Sequence, residues 1–509
     1  MEFLALIIFS YIMYIVMKNI FIKLGLVVAN TNQQTMNAFN PLGHFLKFLI
    51  SGVKSDGLMS AYKQDKIFSS SNKGLVLNGY DKRLTPKESF NHLALISRTG
   101  GGKTTSYVIP NIFKLAQDKN SLVITDISGE LYNQTSGFLK SQGYKIYVLN
   151  PENLNESIGY NPLFYANDSM KIDELVSILL KSNKESNSTN AENEYWDNGA
   201  KSLISILIKV LIAKNDYKYI NLANVRHLIN NFGTDGEALY SLIDEYADDK
   251  TYYEFLGFKN MNPQTMLSIV ANANVALSPI GINENLEKLT STHTINFEKF
   301  RKEKSVLFVK IPGQKQRQYK FLLNIFYTQF FNFMMEKLPT KQDLDIYCLL
   351  DEFGNMNIPS FDTTITTIRK YRVSISIILQ DINQLEKTYG KLNAQTIING
   401  GISSKLFYSG AGLPTTKMLS EMLGEIEHIK TDINGNFYYK NEPVMKSSDI
   451  RTMSDNEALF ITSNKLPAKL KIKPYYNDFI FKNYAKLPPF KINVSNHLNE
   501  VKYIELENN

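Results

Sequence analysis

The stretch Leu93–Pro110, LALISRTGGGKTTSYVIP, decides the fold. Four apolar residues read as a buried strand, three consecutive glycines as a loop, and the run from Lys103 as the start of a helix. Adjacent glycines let backbone N–H groups curl round phosphate oxygens, and a helix N-terminus adds the positive end of its dipole. Thr99, Gly100, Gly101, Gly102, Lys103, Thr104 and Thr105 are therefore the expected nucleotide-binding run, with ATP and Mg2+ as cofactors. Lys103 would reach the β and γ phosphates, and the Thr104 hydroxyl would hold the metal. The pattern G-x-x-x-x-G-K-[ST] asks for glycine where Ser97 stands. That first glycine chiefly permits a tight turn at the strand end, which another small residue can manage.

Working outward, short apolar runs alternate with helical stretches from about Gly74, the pattern of βαβ units and a parallel sheet. HLALIS, SLVITD and YKIYVLN are expected as neighbouring strands. Between Leu163 and Phe300 the periodicity becomes helical throughout, interrupted by the polar stretch Lys181 to Glu194. Strands resume at SVLFVKIP, DIYCLLD, VSISIILQD and SKLFYSG. The fold class is α/β, a nucleotide-binding domain with an inserted all-α domain.

The strand DIYCLLD ends in Asp351 and Glu352. Beside a phosphate loop, such a pair suits hydrolysis: Asp351 completes the Mg2+ shell and Glu352 polarises the attacking water. Gln380 ends the next strand, where its amide could report the γ phosphate. Arg369 and Arg372 precede that strand, and either could be an arginine finger or a surface charge.

The 509 residues carry a net charge of +7, unevenly spread. Residues 163–300 hold 12 basic against 18 acidic side chains, a net of −6, leaving +13 to the remainder. A phosphate-binding surface is therefore expected outside the insertion. The stretch from Asn464 to Lys491 mixes lysines with Tyr475, Tyr476, Phe479, Phe481, Tyr484 and Phe490. It could grip single strands by charge and stacking, but aromatics are mostly core, which favours packing back onto the domain. The single cysteine, Cys348, reads as a core residue, and the six histidines show no metal-ligand spacing.

Phe3 to Met17 is apolar, and extended to Val28 it is long enough to span a bilayer, with Lys18 and Lys23 snorkelling. The lysines follow the run, so the body is expected in the cytoplasm. The expected division is an anchor at 1–30, a juxtamembrane linker at 31–73 with a weaker candidate second span at 40–53, a nucleotide-binding domain at 74–162 and 301–476, the insertion at 163–300, and a C-terminal tail at 477–509.

TGGGKT, VITDISGELY, SIGYNPL, EYWDNGAKSLI, LLDEFGNM, IRKYRVSISIILQDINQL and KLFYSGAGLPTTKMLSEMLG occur in one order. This series resembles the type IV coupling proteins of bacterial conjugation, the TraG/TraD group. The resemblance implies a RecA-like P-loop ATPase, anchored in the bacterial cell membrane by an N-terminal transmembrane helix and assembled as a homo-hexamer with ATP between subunits. It implies a motor that couples relaxase-bound single-stranded DNA to type IV secretion channel proteins. It carries the catalytic roles onto Lys103, Glu352 and Gln380, and favours Arg369, 11 residues before Gln380, as the finger acting in trans. Ser128 stands where relatives have a lysine, and Asp126 receives no catalytic role. Two other readings fit a ring ATPase: a double-strand DNA pump of the chromosome-segregation type, or a substrate receptor that nucleotide merely assembles.

Overall fold

The computed structural model describes residues 57–182, 191–232, 236–431, 437–492, 498 and 500–506. The expected anchor and the stretch at 40–53 lie outside them. Two compact units are present. Of the described residues, those within 59–419 and from 447 onward form the larger one, and those within 57–58 and 420–446 the smaller.

Seven strands of the larger unit run parallel: Leu93–Ile96 (β1), Ser121–Thr125 (β2), Lys145–Leu149 (β3), Ser305–Val309 (β4), Ile346–Leu350 (β5), Val373–Leu379 (β6) and Ser404–Tyr408 (β7). Their spatial order is β7-β1-β6-β5-β2-β4-β3. The smaller unit contributes an antiparallel pair, Glu425–Thr431 (β8) with Phe437–Pro443 (β9). Glu457–Thr462 (β10) then adds antiparallel to β7, and Ala468–Lys471 (β11) antiparallel to β10.

The expectation that β1, β2 and β3 are neighbours is wrong. β6 and β5 lie between β1 and β2, and β4 lies between β2 and β3. Parallel strands are joined by crossovers, which leave room for later strands to enter between earlier ones. The near-continuous apolar runs VSISIIL and IYCLL take central places, buried at every position, as a sheet covered on both faces requires. β3, whose Lys145 is exposed, sits at an edge.

One face of the sheet is covered by Ile109–Gln117 (α1) and Glu130–Ser141 (α2), where Phe113 and Phe138 meet edge to face at 5.0 Å. Between β3 and β4 the described chain forms seven helices of eight or more residues and no strand: Ser169–Ser182 (α3), Ala191–Lys214 (α4), Leu222–Asn231 (α5), Gly236–Tyr246 (α6), Asp249–Lys259 (α7), Pro263–Ile282 (α8) and Glu284–Ser291 (α9). They belong to the same compact unit as the sheet. Among the described helices α8 alone is long and apolar enough to cross a membrane. It buries Ile269, Ala273, Ala276, Leu277 and Ile280, packing against α4 and α5. Lys320–Glu336 (α10) lies on the other sheet face, where the Tyr327 and Thr125 hydroxyls share a hydrogen bond of 2.9 Å.

Cys348 is buried in β5, as its apolar surroundings predict. The expectation for the aromatic stretch holds for part of it. In Phe479–Ala485 (α11), Phe481 packs 5.6 Å from Phe113 and Tyr484 stacks on Phe138 at 4.3 Å. Tyr476 and Phe479 stay exposed.

Candidate nucleotide site

β1 ends at Ile96, but its ladder continues one residue further, because the Ser97 N–H donates to the Leu379 carbonyl of β6 at 3.0 Å. The chain then turns sharply, with the Gly101 N–H donating to the Arg98 carbonyl at 3.0 Å. Each glycine answers a different need. Gly100 and Gly102 have φ of +74° and +81°, the left-handed region that glycine enters without penalty. Gly101 instead needs space: a Cβ there would lie 2.4 Å from Ser97 Oγ and 3.0 Å from the Arg98 carbonyl oxygen. The serine in place of the first glycine is thus accommodated by the missing side chain at 101.

The helix opens at Lys103. Its first turn, Thr104–Val108, is wide, with i to i+5 bonding, and leads into α1. Pro110 accounts for the widening, since it has no N–H to return to the Ser106 carbonyl and its ring crowds that oxygen in a regular helix. The Thr104 hydroxyl makes no hydrogen bond among the described residues, and Thr105 Oγ1 bonds the Gly102 carbonyl at 3.2 Å.

β5 brings the carboxylates to this loop. Lys103 Nζ lies 3.5 Å from Asp351 Oδ1 and 3.9 Å from Glu352 Oε1. The Glu352 backbone is left-handed, at φ +51°, and its N–H bonds back to Asp351 Oδ1 at 3.0 Å. A non-glycine residue held there is strained, a feature that clusters at functional sites. Since β6 runs between β1 and β5, its carboxyl end delivers exposed Gln380 between the loop and the carboxylates.

Two supports escaped the sequence reading. Gln384 Oε1 accepts the Gln380 N–H at 3.1 Å, and its side chain fills the space over Gly354, where a Cβ would approach to 2.6 Å. Arg98 reaches from the loop to Asp455 at 3.2 Å, and Asp455 in turn accepts from Ser409 at 2.8 Å. The Arg98–Asp455 pair has no local sequence signal, since it joins segments distant along the chain, and the Gln384 bond to Gln380, only four residues away, belongs to no pattern that marks it.

Asp126 is structural. Its carboxylate accepts from the N–H groups of Leu131 and Tyr132 at 3.3 and 2.8 Å, capping α2. Burial raises its pKa, and those hydrogen bonds oppose the rise.

The two arginines differ sharply. Arg372 is tied down, its Nε 2.6 Å from Asp345 and its terminal nitrogens 2.7 and 2.6 Å from the Thr340 and Asp343 carbonyls. Arg369 is exposed on the turn Ile368–Tyr371 and makes no ion pair among the described residues. It precedes β6, whereas the phosphate loop lies at that strand's other end, so a seven-residue strand of roughly 20 Å separates Arg369 from its own loop.

A helix N-terminus behind a glycine loop, an ammonium, an unengaged threonine hydroxyl and an adjacent aspartate form a donor set that fits a nucleotide phosphate chain with Mg2+. Loop, sheet and carboxylates together define a P-loop nucleotide-binding protein of mixed α/β fold. The family model for type IV secretory system conjugative DNA transfer matches residues 53–502, and the chain belongs to that family.

Protein VirD4 of Rhizobium rhizogenes is 22% identical over 410 residues, covering 76% of this chain and 59% of the relative. The probable conjugal transfer protein TraG of Sinorhizobium fredii (strain NBRC 101917 / NGR234) is 24% identical over 312 residues, covering 60% and 47%. The chain thus matches about half to three-fifths of the length of these relatives. Among solved structures, plasmid coupling protein TrwB in complex with ADP and Mg2+ superposes with a TM-score of 0.63 at 17% identity, covering 82% of this chain and 93% of that one. That likeness is one of fold.

Proposed function

We propose that this chain is a membrane-anchored, Mg2+-dependent ATPase that couples relaxase-bound single-stranded DNA to a type IV secretion channel and drives its transfer. The observation that carries the reading is the convergence of Lys103 with Asp351 and Glu352. Lys103 takes the β and γ phosphates, Thr104 and Asp351 hold the metal, and Glu352 orients the attacking water as general base. Bound Mg2+ supplies charge neutralisation at the phosphate oxygens. Gln380 senses the γ phosphate. Arg369 acts on the nucleotide of a neighbouring subunit in a homo-hexamer, a role its separation from its own loop favours.

The helical insertion, residues 163–300, selects the nucleoprotein cargo, and its net charge of −6 favours protein partners over bare duplex. That TrwB binds ADP and Mg2+ on the same fold supports the same cofactors here. Family membership supports conjugation over chromosome segregation. Glu352→Gln separates a motor from a receptor that nucleotide merely assembles: a motor keeps nucleotide binding and loses hydrolysis together with DNA transfer, whereas a receptor keeps transfer.

A further inference from the structure

Helix α5 meets an extended peptide that comes from far along the chain. Asn224, fully buried, accepts the Ile504 N–H through its side-chain oxygen at 2.8 Å and donates its amide to the Lys502 carbonyl at 2.9 Å. One turn on, His227 Nε2 lies 3.1 Å from the Ile504 carbonyl. Asn231 faces Nδ1 of the same ring, which leaves the proton on Nε2 for that bond. Ile504 is 4% exposed, and the Tyr503 hydroxyl donates to Glu287 of α9.

A segment that only packed on these helices would need apolar contacts. Here one buried amide supplies both a donor and an acceptor, matched to backbone groups two residues apart, and Asn224 is itself oriented by Asn221 Oδ1. Left unpaired, those buried atoms would be costly. Asn224 and His227 read main chain, as a strand edge reads an added strand, and only the positions of Tyr503 and Ile504 read side chains.

We propose that the surface between α5 and α9 is a binding site for an extended peptide, occupied in cis by residues 502–504, and that its partner is a protein segment carrying a hydroxyaromatic residue followed by a branched aliphatic one. The partner competes with the chain's own segment for the same three backbone contacts. The contacts stand by themselves, while their meaning rests on the proposed role of residues 163–300 in choosing a protein cargo.

The test uses the full chain without nucleotide and, as probe, a fluorescent peptide of residues 500–506. Ile504→Asp frees the groove and should bind the peptide at least tenfold more tightly than wild type, while adding Asn224→Ala should abolish that gain. A peptide with serine at both 503 and 504 should not bind. Tyr503→Ala with Ile504→Ala repeats the release without a new charge, and nucleotide binding at the phosphate loop verifies the fold of each variant. Equal binding by released and wild-type chains, or a gain that survives Asn224→Ala, would overturn the proposal. So would peptide-reversible dimers of wild type that Ile504→Asp lacks, because the occupant would then be a second copy. Since the readout requires no hydrolysis, failure of the ATPase reading leaves it unaffected.

Discussion

The Lys103 ammonium stands 3.5 Å from the carboxylate of Asp351, joining a loop and a strand that β6 keeps apart. Both side chains are mostly buried, so under the proposed function the lysine exchanges carboxylates for phosphates when nucleotide binds, and the aspartate is left to the metal. Asp351→Asn is therefore expected to remove the Mg2+ dependence of nucleotide binding. Affinity in EDTA should stay within about threefold of wild type, while the tightening by Mg2+, expected at about tenfold or roughly 1.4 kcal/mol, should vanish. Fluorescent-nucleotide titration with and without metal measures both.

Ser97 and Gly101 share one small space. Gly101→Ala should weaken nucleotide binding about tenfold, roughly 1.4 kcal/mol, because the new methyl displaces the loop. Ser97→Gly alone should leave affinity within about threefold, and combined with Gly101→Ala it should recover part of the loss. Recovery will be incomplete, since the Arg98 carbonyl still crowds the methyl. The readout is nucleotide titration of all three variants.

The phosphate loop and the carboxylate pair were legible because each is a local pattern: a glycine run between strand and helix, and acids at the end of an apolar strand. Strand order was not, since VSISIIL and IYCLL carry no mark of entering between earlier strands. The role of Ser97 was half legible. Its small size was evident, but its dependence on Gly101 is a contact across a turn. The pairing of β10 with β7 and the packing of Gln384 over Gly354 left no signal, because those partners are distant in sequence, and the hairpin β8–β9, though local, has a mostly polar first strand, EIEHIKT, in place of an apolar run.

Arg369→Ala and Arg372→Ala should separate chemistry from folding. Arg372→Ala breaks the pairing with Asp345 and two carbonyl bonds, and should destabilise the protein by about 2 kcal/mol. Arg369→Ala should leave thermal stability within about 0.5 kcal/mol, as for a surface change. In the proposed hexamer it should slow hydrolysis by about 10^3. Thermal melts and ATPase assays on both variants check the pair.

His92, at φ +61° just before β1, accepts the Ile375 N–H at Nδ1, 3.1 Å away. Burial lowers its pKa to about 3, the nearby Ile365 backbone opposes this, and Arg369 adds a smaller push downward. The unfolded chain thus takes up this proton first as pH falls. The neutral histidine's contribution is complete above about 6.5 and is lost progressively toward about 3, at up to about 1.4 kcal/mol per pH unit. His92→Asn keeps an acceptor and tolerates the left-handed backbone. Its melting temperature should fall less than that of wild type between pH 7 and pH 4.

The central claim is that hydrolysis at Lys103, Asp351 and Glu352 drives DNA transfer. Its most direct measurement is Glu352→Gln, produced at wild-type level in donor cells and assayed for nucleotide affinity, ATP turnover and transfer frequency together. The expected result is affinity within about threefold of wild type, turnover reduced at least about 100-fold as for loss of a general base, and transfer lost in step. Transfer persisting at the wild-type frequency while turnover is abolished would contradict the account.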